Sequence, residues 1–64
     1  MNEIPERGTR VELVHTSDPH TRLRPGARGT TGRYSELGGL SVAWDDGSRL
    51  SLLPDEGDTW RILP

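Results

Sequence analysis

An all-β fold follows from three features of this 64-residue chain. Short stretches alternate apolar and polar residues, turn sequences rich in Gly, Pro and Asp separate them, and no stretch combines the apolar spacing and end signals of a helix of normal length. The most informative stretch runs from Leu40 to Leu52 around Asp45-Asp46-Gly47. A two-residue Asp46-Gly47 loop places Trp44 opposite Arg49 and Val42 opposite Ser51, mixing apolar and polar residues on one face. A three-residue Asp45-Asp46-Gly47 loop, with Gly47 left-handed at a bulge, pairs Val42 with Leu50 and Leu40 with Leu52 instead. Trp44 then caps the apolar row beside the small Ser48.

The other elements follow in order. Met1 to Gly8 holds Pro5, three charges and Ile4 as its one apolar anchor, and reads as a loose arm. One domain is expected over residues 9–64. Thr9 to Val14 forms the first strand, with Val11 and Leu13 inward and Arg10 and Glu12 outward. His15 to Arg24 carries turn chemistry, with Leu23 tucked beneath a long loop. Pro25-Gly26 sets a type II turn into the second strand, Ala27 to Tyr34, where Gly29 and Gly32 accommodate backbone crowding and sharp coiling. Ser35 to Gly39 connects to a third strand, Leu40 to Trp44, and Ser48 to Leu53 is the fourth. Pro54-Asp55-Glu56-Gly57 suits a single 3₁₀ turn before the fifth strand, Thr59 to Leu63. Five short strands with one long early loop predict a small, strongly bent, partly open barrel, because two flat sheets need more apolar side chains than the chain has. The order, with a long loop after strand one, a glycine-rich second strand and a short turn before strand five, resembles that of an SH3-like barrel.

Length and composition set the energetic frame. A single domain of this size buries only about 60% of its unfolded surface. Hydrophobic residues make up 30% of the chain, and eight glycines and five prolines push the composition towards disorder. Folding therefore rests on a few large side chains, above all Trp44, Trp60 and Tyr34. There is no cysteine, and His15 and His20 are the only imidazoles, so neither a disulfide nor a metal staple is expected. The formal charge of −2 supplies no overall drive towards nucleic acid or anionic membrane. Its distribution is uneven. All eight basic residues are arginine, with Arg22, Arg24, Arg28 and Arg33 close together, while Asp45, Asp46, Asp55, Glu56 and Asp58 make the C-terminal third acidic. No apolar run suits a signal peptide or membrane helix, and a soluble cytoplasmic protein is expected.

At family level, three segments carry a resemblance: Gly8-Thr9-Arg10-Val11-Glu12-Leu13-Val14-His15-Thr16-Ser17-Asp18-Pro19, Thr21-Arg22-Leu23-Arg24-Pro25-Gly26-Ala27-Arg28-Gly29-Thr30, and Val42-Ala43-Trp44-Asp45-Asp46-Gly47-Ser48. Together they resemble the DUF4314 family, a group of short bacterial, plasmid and phage proteins named as a domain of unknown function. The resemblance spans Gly8 to Ile62 and implies the small β fold. It carries over no catalytic residue, because the family has no assigned chemistry. Position 20 is histidine where that pattern commonly has tyrosine.

Catalytic readings fail on arrangement. Ser17, Asp18 and His20 share one loop, whereas a nucleophile, base and orienter must converge from rigid elements. Asp45-Asp46 and Asp55-Glu56-Asp58 lie at turns and lack the alternating ligand pattern of a calcium loop. Gly26, Gly29 and Gly32 precede no helix that would cradle a phosphate. His15, His20 and Asp18 lack a fourth ligand for a closed metal site. No catalytic residue, metal or cofactor is expected. The surviving functional candidate is a positive face built from the long loop and its flanks: His20, Arg22, Leu23, Arg24, Arg28 and Arg33, with Tyr34 or Trp60 adding a flat contact. The expected function is a non-catalytic interaction module that binds a protein partner through the loop after strand one; the alternative is a nucleic-acid-binding accessory module using the same arginines. Against both stands a structural reading, in which these arginines solvate the loop and pair with Glu12, Asp18 and Glu36.

Overall fold

The computed structural model describes residues 4–64. Four antiparallel strands, β1 (Arg10–His15), β2 (Arg28–Ser35), β3 (Gly39–Trp44) and β4 (Thr59–Ile62), make one open sheet in the order β3-β2-β1-β4. A 3₁₀ turn over Pro54–Glu56 precedes β4, where the proline-led sequence places it. Strand alternation builds the core from one face of the sheet. Val11 and Leu13 come from β1, Leu40, Val42 and Trp44 from β3, and Trp60 from β4, while Leu23 and Leu52 close the cluster from outside the strands.

The two turns with left-handed glycines form as the sequence predicts. Gly26 has φ 99° and the Ala27 N–H donates to the Arg24 carbonyl at 3.0 Å; Gly47 has φ 89° and its N–H donates to the Trp44 carbonyl at 2.9 Å. Close packing also explains Gly29, where a Cβ would lie 2.6 Å from Val42 Cγ1. The expected arm over residues 1–8 lies in part outside the described residues. Within its described part, the Gly8 N–H donates to the Thr31 carbonyl at 2.8 Å, and the buried Thr31 hydroxyl donates to the Glu6 carbonyl at 2.7 Å.

The expected strand over Ser48–Leu53 is not formed. Its pairing is reduced to one bridge, Leu40 with Leu52, whose backbone groups exchange two hydrogen bonds of 2.8 Å. A continued ladder would next join Val42 to Leu50. Instead Trp44 Nε1 donates to the Leu50 carbonyl at 2.9 Å, the group that would face the Val42 N–H in such a pair. Val42 still faces the core, paired with Thr31 of β2, and Leu50 packs part-buried at the core edge. The last strand is also shorter in effect than its alternation suggests. Trp60 is buried, but Ile62, opposite Val11 on this edge strand, is 49% exposed.

Gly39 plays a role that sequence patterning does not expose. It opens β3 with φ 79°, and a Cβ there would collide with the Leu52 carbonyl beside the single bridge. At Gly47 nothing lies within 4 Å of the same position. Gly39→Ala is therefore expected to combine backbone strain with overpacking and lose about 3 kcal/mol or more, against about 1 kcal/mol for Gly47→Ala. Urea midpoints of the two variants check the order. The indoles give a second expectation. Replacing either tryptophan by alanine costs about 3–5 kcal/mol. Trp44→Phe exceeds Trp60→Phe in cost, because it also strips the Leu50 carbonyl of its donor, whereas Trp60 Nε1 has no partner among the described residues.

Candidate functional site

The long loop between β1 and β2 is pinned along its length. At its start, the Ser17 N–H and hydroxyl donate to Asp58 Oδ1 at 2.7 and 3.1 Å, while the Leu53 N–H donates to Asp58 Oδ2 at 2.8 Å. Asp58 is almost fully buried. Burial alone would push its carboxyl up, but the donors from Leu53, Ser17 and Thr16 outweigh that effect and hold it below the ordinary aspartate range. In mid-loop, Asp18 Oδ1 accepts from the His20 N–H at 2.8 Å and Thr21 Oγ1 from the Leu23 N–H at 3.1 Å, local turns of the kind these side chains favour. At the far end the Gly26 N–H donates to the Leu13 carbonyl, and the Leu13 N–H to that of Ala27.

These constraints divide the predicted binding residues into separate groups. Leu23 is tucked under the loop as its sequence suggests and is buried in the core cluster. His20, Arg22 and Arg24 are exposed on the loop. No ion pair with a described carboxylate holds Arg22, Arg24 or Arg33. The Asp46 carboxyl lies below its ordinary range mainly because Ser48 donates to it, with a smaller electrostatic contribution from Arg22. Arg33 and Tyr34 are exposed beyond a register shift in β2, with Tyr34 roughly 20 Å of strand from Arg28. The structure therefore does not bring all these side chains onto one face.

Arg28 joins a different cluster. Antiparallel register sets Glu12 opposite Arg28 on one side and Arg61 on the other, and its carboxylate accepts from Arg28 Nε at 3.3 Å and Arg61 Nε at 3.1 Å. Arg10, two positions away on the same outward face, makes a two-pronged contact with Asp45 at 2.7 and 2.6 Å. Arg61 chiefly, then Arg28, depresses the Glu12 carboxyl, and Arg10 does the same for Asp45. Arg10, Arg28 and Arg61 also line a concavity of about 440 Å³ with Leu63 and Pro64. Sequence reasoning placed Arg10 and Glu12 outward but missed Arg61, because only strand register brings residue 61 beside residue 12. Among the described residues, no group of three or more His, Cys, Asp and Glu side chains is placed to hold a metal ion, and no helix is long and apolar enough to cross a membrane.

The family model of a domain of unknown function, DUF4314, matches residues 2–63, nearly the whole chain. The chain belongs to DUF4314. No curated protein and no solved structure matches it. The surfaces of this DUF4314 domain must accordingly be weighed by their own chemistry.

Asp58 supplies a pH test of the pinned loop. Its folded-state carboxyl titrates below the unfolded one, so its stabilisation is complete above the ordinary aspartate value of about 3.9 and is lost as pH falls through the lower folded value. Urea midpoints measured through the acid range should fall accordingly. Asp58→Asn should cost about 1–3 kcal/mol near neutrality, by removing charge-assisted hydrogen bonds, and should flatten part of that acid dependence. The carboxyls of Glu12, Asp45 and Asp46 are depressed in the same direction but are solvated, so their share is smaller.

Proposed function

We propose that this DUF4314 domain is a non-catalytic interaction module that binds a protein partner through the long loop after β1. The supporting observation is a loop fastened by Asp58, by buried Leu23 and by the Gly26–Leu13 contact, with His20, Arg22 and Arg24 exposed on it. A pre-organised loop loses less entropy on binding, and guanidinium groups with no ion pair to a described carboxylate suit two-pronged recognition of acidic side chains. An acidic segment of a partner protein is the ligand this chemistry favours. The non-catalytic reading is supported by Ser17, whose hydroxyl donates to Asp58 rather than to an imidazole.

An SH3-like arrangement belongs to the same proposal. The Leu40–Leu52 bridge lies on β3, one edge of the sheet, and the 3₁₀ turn carries the chain from there to β4, the other edge. That path supports a partly open barrel in which one backbone bridge stands in for the fourth of five strands.

Nucleic acid is the second reading, favoured by the concavity where Arg10, Arg28 and Arg61 converge. Protein is preferred because those three guanidiniums already face Glu12 and Asp45, and the whole chain carries −2. Immobilised domain, exposed to source-cell lysate with and without nuclease, separates the two. Nuclease-resistant protein capture that weakens when Arg22 and Arg24 are both changed to alanine is expected. Capture of nucleic acid alone, with affinity falling about a thousandfold or more between about 50 and about 200 mM salt, would reverse the order.

A further inference from the structure

We infer that a second surface, distinct from the rim of the long loop, docks a segment of a partner protein that carries an apolar side chain next to lysine or arginine. Three of the large apolar side chains left exposed by the fold meet in one place: Tyr34 is 41%, Leu37 99% and Leu53 37% exposed, and all line a single concavity of about 170 Å³. In a chain with only 30% hydrophobic residues, a leucine fully in water contributes nothing to the core and is a liability for solubility. Gathering such residues around one depression marks a protein contact, and tyrosine is among the residue types enriched at the anchors of such contacts.

The surface is held in shape from both sides. At the β2–β3 turn the Gly38 N–H donates to Ser35 Oγ at 2.8 Å, which fixes the tip that carries Leu37 outward. Gly39, lining the depression, abuts the Leu52 carbonyl with no room for a Cβ. Opposite, the Glu56 N–H donates to the Leu53 carbonyl at 2.9 Å and the Gly57 N–H to that of Pro54 at 3.1 Å, while Asp58 holds the Leu53 N–H. Ordering this site on binding therefore costs little.

Charge identifies the occupant. Glu36, Asp55 and Glu56 line the same depression, no arginine does, and none of the three carboxylates makes an ion pair with a described cation. A phosphate-bearing ligand is repelled there, whereas a basic side chain gains three acceptors beside the exposed Tyr34, Leu37 and Leu53. The volume is well below the roughly 300 Å³ at which small-molecule sites begin, and matches one or two side chains of an extended segment. This preference is opposite in sign to that of Arg22 and Arg24, so the two surfaces select different ligands.

A random peptide-display library selected on the intact domain, and counter-selected on Leu37→Asp, tests the inference. Leu37 has no packing role, so this variant keeps the wild-type thermal midpoint. Enriched peptides are expected to carry Lys or Arg beside Leu, Ile or Pro. Affinity should fall about tenfold or more in Leu37→Asp and in the Asp55→Lys, Glu56→Lys double variant. The Arg22→Ala, Arg24→Ala pair should leave it unchanged, which separates this surface from the loop. Enrichment of acidic peptides, or equal retention by wild type and Leu37→Asp, would overturn the inference. So would self-association of the wild type in sedimentation that Leu37→Asp abolishes, since the occupant would then be a second copy of the chain.

Discussion

The buried carboxylate of Asp58 fastens together three parts of the chain that hydrophobic packing alone leaves loosely related. Ser17 lies 41 positions earlier in the sequence, and its N–H and hydroxyl meet one oxygen of Asp58 while the Leu53 N–H meets the other. An isolated buried charge is costly, so this site is stable only with its donors in place. The converse also holds: loop, 3₁₀ turn and β4 must arrive together for the carboxylate to be satisfied. The eight-residue core is small and there is no disulfide. A long-range polar clamp therefore supplies closure that a chain of this size otherwise obtains from a covalent or metal staple.

A second constraint is the Trp44 indole bond where the β3 ladder ends. Phase relations around Asp45-Asp46-Gly47 made Leu40 opposite Leu52 legible from sequence, and both backbone bonds of that pair are present. They also made Val42 opposite Leu50 plausible, since every side chain in that register has a suitable polarity. What periodicity cannot express is an indole N–H reaching across its own hairpin to the Leu50 carbonyl. That bond lies where the ladder ends, and Ser48–Ser51 is outside the strands. β1 and β3 were legible because alternation and turn chemistry agree in them, whereas the small, polar β2 was marked by the Pro25-Gly26 turn before it and by its neighbours. Gly39 was not legible, because its need arises from the approach of Leu52, a contact set by tertiary structure.

The candidate sites were legible to a lesser degree, and for a physical reason. Proximity in sequence suggested one positive face from residue 20 to residue 34, but a strand moves its residues apart at about 3.3 Å each, so Arg28 and Tyr34 cannot share a compact site. Antiparallel pairing does the opposite and collects residues distant in sequence. Glu12 lies between Arg28 and Arg61 for that reason, and Arg10 reaches Asp45. Asp58 looked like one more acid of a solubilising turn, since nothing local marks it apart from Asp55 or Glu56. Only the return of the loop to its neighbourhood distinguishes them.

The net charge of −2 therefore conceals a sorted surface. On the outer face of the sheet, three arginines and two carboxylates largely satisfy one another, an arrangement worth little in stability because the groups are solvated. Its consequence is selective: those arginines meet carboxylates of their own chain before those of a partner. Among the described charges without an ion pair, Arg22 and Arg24 lie together on the long loop, and Glu36, Asp55 and Glu56 surround Tyr34 and Leu37. Asp58 stands behind both groups, holding Ser17 at the start of the loop with one oxygen and Leu53 beside the acidic depression with the other. Because one buried residue supports both surfaces, loss of binding on altering Asp58 reports on scaffold geometry, and only exposed residues such as Arg22 or Leu37 can separate one surface from the other.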